Sequence, residues 1–345
     1  MVKCFFLLSG ENPYLSAAEL QHILEIHRYG QDFQLLTPRV AVATTPPSLL
    51  SDVVFRAAYT KIAGVYLGHG RTSILSEGNI PLDDGWRMVE QLGVEKFRVD
   101  VVKLGGAAVN SVEVEKKTAE ALSSLFPKMR VCMDNPDIIV GVVVSPDTYV
   151  AGLLKVVKPK HFFQLRRAGR KPFRIPSALQ PKLARCLVNL SVASLDCNLL
   201  DPFAGSGAVV VEAALLGHEA VGLELRTWIS NGMAVNTSFF CPSVCHVVQG
   251  DAVRMPFRKA FAAVATDPPY GKSSTLAGRG FRQLLARFFE AVQTLLQPGG
   301  RVSIVVPDNE YENLLDASKG FRPLQRHDVY VHKSLTRRVV VLKLE

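Results

Sequence analysis

The sequence predicts an α/β protein: a C-terminal half built on a mostly parallel sheet covered by helices on both faces, preceded by an α+β half. Three observations carry that expectation. From Asn198 onward, short apolar runs alternate with amphipathic stretches at helical spacing. The first run leads into a glycine-rich turn, Asp201-Pro-Phe-Ala-Gly-Ser-Gly207. The fourth run leads into Asp267-Pro-Pro-Tyr270, which starts 66 positions after Asp201.

In the C-terminal half, Asn198–Leu200 reads as a buried strand and Gly207–Leu216 as a helix closed by Gly217. Glu219–Glu224 is a strand, Trp228–Asn236 a helix, Val244–Val248 and Phe261–Thr266 two further strands. A long helix spans Phe281 to Leu296 and is stopped by Pro298-Gly-Gly300. Val302–Val306 then reads as a strand, Asn309–Ser318 as a helix, and Val329–His332 with Arg338–Leu344 as a closing antiparallel hairpin. In such sheets ligands bind outside the carboxyl ends of the strands.

In the N-terminal half, Phe5–Leu8 and Val40–Thr44 are strand-like around a helix at Leu15–His27. Phe97–Leu104 alternates as a half-buried strand, Glu113–Phe126 is a helix, and Ile138–Val144 and Tyr149–Leu153 are strands. This half holds no glycine-phosphate loop and no catalytic-looking cluster, so it reads as one or two binding modules. Between the halves, Arg166–Pro176 has loop character and Pro181–Leu195 is helical.

Composition narrows the function classes. The longest apolar run, Ile138–Val144, is far below the ~20 residues a membrane span requires, so a membrane protein is not expected. Lys3-Cys-Phe-Phe-Leu-Leu8 breaks at once into Ser-Gly-Glu-Asn-Pro, too short for a signal peptide, and a cytoplasmic location is expected. The six cysteines show no zinc-like pairing, and no metal is expected. The net charge of +9 is concentrated: residues 148–195 carry ten basic side chains and no acid, against −3 before them and +2 after. Phosphate is the natural counter-charge, which points to nucleic acid.

The chemistry resides in the two turns. Gly205 and Gly207 let the backbone turn tightly and approach a ligand, and the next helix N-terminus presents free N–H groups to an anion. A dinucleotide fingerprint would need a third glycine where Val210 stands. Glu224, ending the next strand, has the position of a ribose-hydroxyl acceptor, and Asp251 could accept from an adenine amine or simply cap the following turn. An exocyclic base amine is a poor nucleophile because its lone pair is delocalised. The Asp267 carboxylate and the Pro268 carbonyl can each accept one of its N–H bonds, which aims the lone pair at an activated methyl. Tyr270 offers a stacking face for an extruded base. The segment 271–280, with Lys272 and Arg279, reads either as a lid over that base or as an ordinary loop. S-adenosylmethionine (SAM) is therefore the expected cofactor and Asp267, Pro268 and Tyr270 the expected catalytic residues.

On these residues the chain resembles class I amino-methyltransferases, and more narrowly the THUMP-domain tRNA guanosine N2-methyltransferases of archaeal guanosine-10 type. The resemblance extends to Gly271-Lys-Ser-Ser274, His332-Lys-Ser-Leu-Thr-Arg-Arg338 and the run Arg166-Arg167 through Leu179. Phe97–Val101, Asn135–Ile139 and Tyr149–Gly152 look like a THUMP domain, and Gly10–Leu20 like the ferredoxin-like module that precedes it in the family. The implied domains are a ferredoxin-like module at 1–55, a THUMP RNA-binding domain at 56–155, a basic linker at 156–190 and a Rossmann-like SAM-dependent methyltransferase domain at 191–345. The implied cofactor contacts are Asp201, Phe203, Gly205, Gly207, Glu224, Asp251, Ala252 and Asp267. The implied substrate contacts are Tyr270, Lys272, Arg166, Arg167, Arg170 and Lys171. Two positions depart from the family pattern: Arg226 stands where relatives often carry an acid, and Arg174-Ile175 where they often carry His or aromatic residues.

The resemblance implies mono- and then dimethylation of a tRNA guanosine, with tRNA rather than DNA as partner, and a monomer with room for an accessory subunit. Guanosine-6 of tRNA, a ribosomal guanine or an adenine N6 would suit the same motifs. A non-catalytic RNA-binding protein is the other class, disfavoured because Gly205, Gly207, Glu224, Asp251 and Asp267 occur together.

Overall fold

The computed structural model describes residues 1–77, 86, 89, 93–241, 243–258, 261–270, 280–332 and 335–345. The chain divides into two compact units, one of Met1–Phe55 with Thr60–Lys158 and one of Arg56–Tyr59 with Pro159–Glu345.

The first unit is built on one eight-stranded sheet. In chain order its described elements are β1 (Val2–Leu8), α1 (Pro13–Ile26), β2 (Gln34–Thr37), β3 (Val40–Thr45), α2 (Leu50–Arg56), β4 (Thr60–Arg71), α3 (Ser73–Glu77), β5 (Lys96–Lys103), α4 (Ser111–Leu125), β6 (Arg130–Val131), β7 (Ile138–Val144) and β8 (Thr148–Val157). The strand order is β2-β3-β1-β4-β8-β7-β5-β6. All pairings are antiparallel except β5 with β6 and β7. The β-branched run of β7 suits a strand buried on both faces, and Phe97, Val99, Val140 and Val142 meet in the core beside Val114 and Leu122 of α4. The Asn110 side chain caps α4 by accepting from the Val112 N–H. The segments expected as two modules, 1–55 and 56–155, share this sheet, because β4 pairs with both β1 and β8.

The second unit follows the expected α/β order. It contains α5 (Pro181–Ser191), β9 (Asn198–Asp201), α6 (Ala208–Ala214), β10 (Glu219–Glu224), α7 (Thr227–Phe240), β11 (Cys245–Gln249), β12 (Phe261–Thr266), α8 (Phe281–Leu295), β13 (Leu296–Pro307), α9 (Tyr311–Ala317), β14 (Phe321–His332) and β15 (Leu335–Leu344). The sheet order is β11-β10-β9-β12-β13-β15-β14. Strands β9 to β13 run parallel, and β15 inserts antiparallel between β13 and β14. Strand β13 begins six residues earlier than expected, so Pro298-Gly-Gly300 lies within it rather than ending α8 from outside. Helix α8 buries Leu284, Leu285, Phe288, Phe289, Val292 and Leu295, a stripe at helical spacing, against Val302, Ile304 and Leu342 of the sheet. Each such side chain contributes roughly 1.5–3 kcal/mol on burial.

Strand order reverses between β9 and β12, and that is the crevice where open α/β sheets hold their ligands. The chain ends of both strands carry the two turns singled out in the sequence.

Candidate active site

At the end of β9, Asp201 is 2 % exposed. Its Oδ1 accepts from the Phe203 N–H at 3.2 Å and from the Thr266 hydroxyl at 2.6 Å. Thr266 is the last residue of β12, so this bond ties the two strands together across the switch point. Burial pushes the Asp201 carboxyl up to about 7; the two hydrogen bonds oppose that rise, and the negative charges of Asp267 and Glu224 add to it.

The turn that follows needs its glycines. Gly205 has φ +51° and Gly207 φ +82°, a left-handed conformation that L side chains avoid. A Cβ on Gly207 would also stand 2.9 Å from Met233 Cγ of α7. Glu224, at the end of β10, braces this turn from the side. Its Oε2 accepts from the Gly205 N–H at 3.1 Å, and its Oε1 accepts from the Arg226 N–H at 2.9 Å. Arg226 Nε also lies 3.5 Å from Oε1, so Oε2 is the oxygen with a lone pair left for a ligand. Ser206 Oγ, buried in the turn, has no hydrogen-bond partner among the described residues. Asp251, in the loop after β11, accepts from the Val253 N–H at 3.1 Å and so shapes its own turn, with Ala252 buried beside it. Phe203 packs its ring on Phe288 of α8, 5.3 Å between centroids.

At the end of β12 the Asp267 side chain is 14 % exposed, and its Oδ1 has no hydrogen-bond partner among the described residues. Its Oδ2 lies 3.6 Å from Arg337 Nη1, a residue of β15. Burial pushes the Asp267 carboxyl up to about 6, against the lowering effect of Arg337. The Tyr270 phenol is raised by burial and by the Asp267 charge. Its ring meets Phe281 edge-on at 6.4 Å, and the Arg337 guanidinium carbon sits 5.5 Å from its centre. Asp201, Glu224 and Asp267 therefore converge as an acidic group at the strand ends, and the carboxyls of Asp201 and Asp267 sit above their ordinary range.

The basic linker divides in two. Arg167 and Arg170 are exposed, as phosphate contacts must be. Arg166 and Lys171 are not, and this corrects the expectation that both face RNA. Arg166 Nε donates to Glu212 Oε1 at 2.6 Å, and Arg185 donates to Glu212 Oε2 at 2.6 Å. Glu212 lies on α6 with 1 % exposure, and the Arg166 guanidinium also stacks 5.1 Å from Phe163. Lys171 is 2 % exposed, and burial brings its ammonium down to about 8. A buried carboxylate needs cations, and the linker supplies them inward. Further along, the Phe173 N–H donates to Asn236 Oδ1 at 2.9 Å, while Asn236 Nδ2 donates to the carbonyls of Phe173 (3.1 Å) and Ser206 (2.9 Å). One buried amide of α7 thus straps the linker onto the glycine turn. Lys272 and Arg279 lie outside the described residues, and with them the lid expectation.

Sequence reasoning missed Arg337, Thr266, Asn236 and Glu212. The available signal was polar residues on otherwise apolar faces: Asn236 four positions after Gly232, Glu212 inside an apolar helix, and Arg337 leading into Val339–Leu342.

The pattern of the RMKL-like methyltransferase domain family matches residues 168–239 and 235–338. The tRNA (guanine(10)-N2)-dimethyltransferase of Methanothermobacter thermautotrophicus is 28% identical over 344 residues, 98% of either chain. The crystal structure of TrmN from Thermus thermophilus superposes with a TM-score of 0.57 at 21% identity, covering 99% of this chain and 100% of that one. SMU.472, a putative methyltransferase complexed with SAH, superposes with a TM-score of 0.53 at 14% identity, covering 100% of this chain and 98% of that one. At those identities the two structures establish the fold, a class I SAM-methyltransferase sheet.

Proposed function

We propose, from the premise that this chain belongs to the tRNA guanosine N2-methyltransferases with an RMKL-like methyltransferase domain, that it methylates the exocyclic N2 of guanosine-10 in tRNA. The observation that carries the reading is the free, buried Oδ1 of Asp267 at the carboxyl end of β12, next to the Pro268 carbonyl. Two fixed acceptors at that place suit an amine with two N–H bonds, and two consecutive prolines hold the second acceptor still.

The residues at the switch point fit SAM as cofactor. Its ammonium and sulfonium charges match the acidic group of Asp201, Glu224 and Asp267, and burial has raised the carboxyls of Asp201 and Asp267, which a bound cation would relieve. Gly205, at φ +51°, keeps the turn tight where a Cβ would touch Ile175 at 3.5 Å, and Ser206 Oγ is available as donor or acceptor. Asp201, Phe203, Gly205, Gly207, Glu224, Asp251 and Ala252 would hold the cofactor. When bound, SAM supplies an electrophilic methyl group.

The protein's part is positioning. Asp267 and Pro268 accept the amine's N–H bonds and turn its lone pair out of the ring plane. Tyr270 stacks the extruded base, a contact worth ~1–3 kcal/mol. Asp267 takes the proton as the amine is alkylated. After one transfer one N–H remains, so a second methylation can use the same carboxylate. We propose that residues 56–155 serve as a THUMP module for tRNA, with Arg167 and Arg170 contacting phosphates, in a cytoplasmic enzyme.

The deciding experiment is methyl transfer from labelled SAM to a tRNA transcript, with nucleosides analysed by mass spectrometry. N2-methyl- and N2,N2-dimethylguanosine are expected, and both should vanish when guanosine-10 is replaced by adenosine. Persistence of N2-methylguanosine in that transcript would move the target to another position, guanosine-6 first. Label on ribose or on a ring carbon would end the amine reading altogether.

A further inference from the structure

Arg337 stands at the start of β15, in register with Pro307 of β13. It lies 70 positions beyond Asp267, yet the antiparallel insertion of β15 beside β13 brings it to the same end of the sheet. Its Nη1 is 3.6 Å from Asp267 Oδ2, and its guanidinium lies over the Tyr270 ring at 5.5 Å. One cation therefore contacts both residues to which the reaction assigns a task, the acceptor and the stacking face. Asp267 Oδ1 and Arg337 Nε are both buried here and lack hydrogen-bond partners among the described residues. Buried donors and acceptors are rarely left unmade unless something else is to occupy them.

We propose that Arg337 is the positioning residue of the transfer site: it holds Asp267 by Oδ2, so that Oδ1 is presented to the substrate amine, and it fixes the angle of the Tyr270 ring. This inference rests on the amine-methylation reading above. The carboxylate could otherwise rotate about its own side-chain bonds, exchanging its two oxygens and losing the orientation that an in-line transfer needs. A guanidinium is suited to this because it stays charged, is planar, and can attract a carboxylate with its edge while its plane packs on a ring. The titratable and charged groups that bear on Asp267 and Tyr270 are Arg337 from β15, the Tyr270 phenol itself and Asp201 from the end of β9. Arg337 is the cation paired with Asp267 among the described residues. Its removal should therefore raise the carboxyl, so that less of the acceptor form is present near neutral pH.

The test compares wild type with R337Q and R337K in two measurements. The first is an infrared titration of the Asp267 carboxyl in the tRNA-free protein, isolated by subtracting D267N. The wild-type group should titrate at about 6. In R337Q it should move up by roughly one unit or more, as expected when an opposite charge at this distance is removed. R337K should stay near wild type. The second is single-turnover methyl transfer to tRNA as a function of pH, with SAM affinity measured alongside. The R337Q deficit should be largest in acid, where a roughly fivefold loss of ionisation at pH 6 multiplies the pH-independent loss of orientation. It should fall toward pH 9 to that residual loss, with SAM affinity unchanged.

A deficit of equal size at every pH overturns the proposal, because loss of packing alone would give that. So does an unmoved carboxyl titration, or a fall in SAM affinity that accounts for the lost rate. If R337Q does not fold, R337K decides: a retained cation should retain the wild-type acid limb, and a shifted limb there sinks the idea. The infrared measurement needs no tRNA. It reads the Arg337–Asp267 coupling even if wild type modifies no guanosine, so failure of the functional reading and failure of the pairing are told apart.

Discussion

Asp267 is a buried carboxyl raised well above its ordinary range. Burial pushes its carboxyl up to about 6 and that of Asp201 up to about 7. A carboxyl raised in the folded state above its unfolded value of ~3.9 contributes stability that is fully present below that value and is lost as pH rises through the folded one. The cofactor-free protein should therefore melt at a lower temperature at pH 8 than at pH 5.5 on account of these two groups. D267N should flatten that trend in a thermal titration, and a steeper trend in D267N would contradict it. Activity runs the other way, since the acceptor is the ionised form: kcat should rise through about pH 6 and level off. Asp267→Ala should abolish transfer while SAM still binds by calorimetry. Retained transfer above about a tenth of wild type would remove the acceptor role, given that a positioned hydrogen-bonding group contributes ~10²–10³-fold.

At the scale of elements, the turn after β9 and the helix after it depend on interactions that only partly show in the sequence. Gly207→Ala forces a side chain into φ +82° and into the space of Met233, so it should weaken SAM binding and destabilise the protein by at least ~1–2 kcal/mol. Glu212→Gln would leave Arg166 and Arg185 buried without their carboxylate, a loss of about 3–5 kcal/mol measurable by denaturant unfolding. The parallel strands were legible because they are short apolar runs bounded by turn residues, and the Asp267-Pro-Pro-Tyr270 turn because its chemistry is specific. Strand β4 was not legible. Gly64, Gly68 and Gly70 interrupt its pattern, although Gly64 is there for close packing: a Cβ would collide with the Leu153 carbonyl oxygen and meet the Phe5 ring at 2.7 Å. The pairing of Arg337 with Asp267 was illegible for a different reason. It is fixed by how β15 inserts into the sheet, and no local pattern reports a register set by another strand.

At the scale of the molecule, the charge count located the basic segment but not the direction in which its side chains point. Six phosphate contacts would make tRNA affinity fall ~10³-fold between 50 and 200 mM salt; with Arg166 and Lys171 turned inward, four contacts give ~10²-fold. Replacing Arg167 and Arg170 together by Ala should reduce the slope of log K against log salt by about two. An unchanged slope would place the RNA elsewhere. Filter binding across a salt series is enough to decide.

The linker's inward side also bears on where the methyltransferase half can be cut free. A fragment starting at residue 191 would look complete by motif, yet it would lack both guanidinium partners of Glu212 and the Phe173 ring that fills the notch at Gly232. Such a truncation should be insoluble or fail to bind SAM. One starting near Pro159 retains every one of those contacts and gives up Arg56–Tyr59 of the second unit, where Arg56 meets His218 and accepts from Asn189.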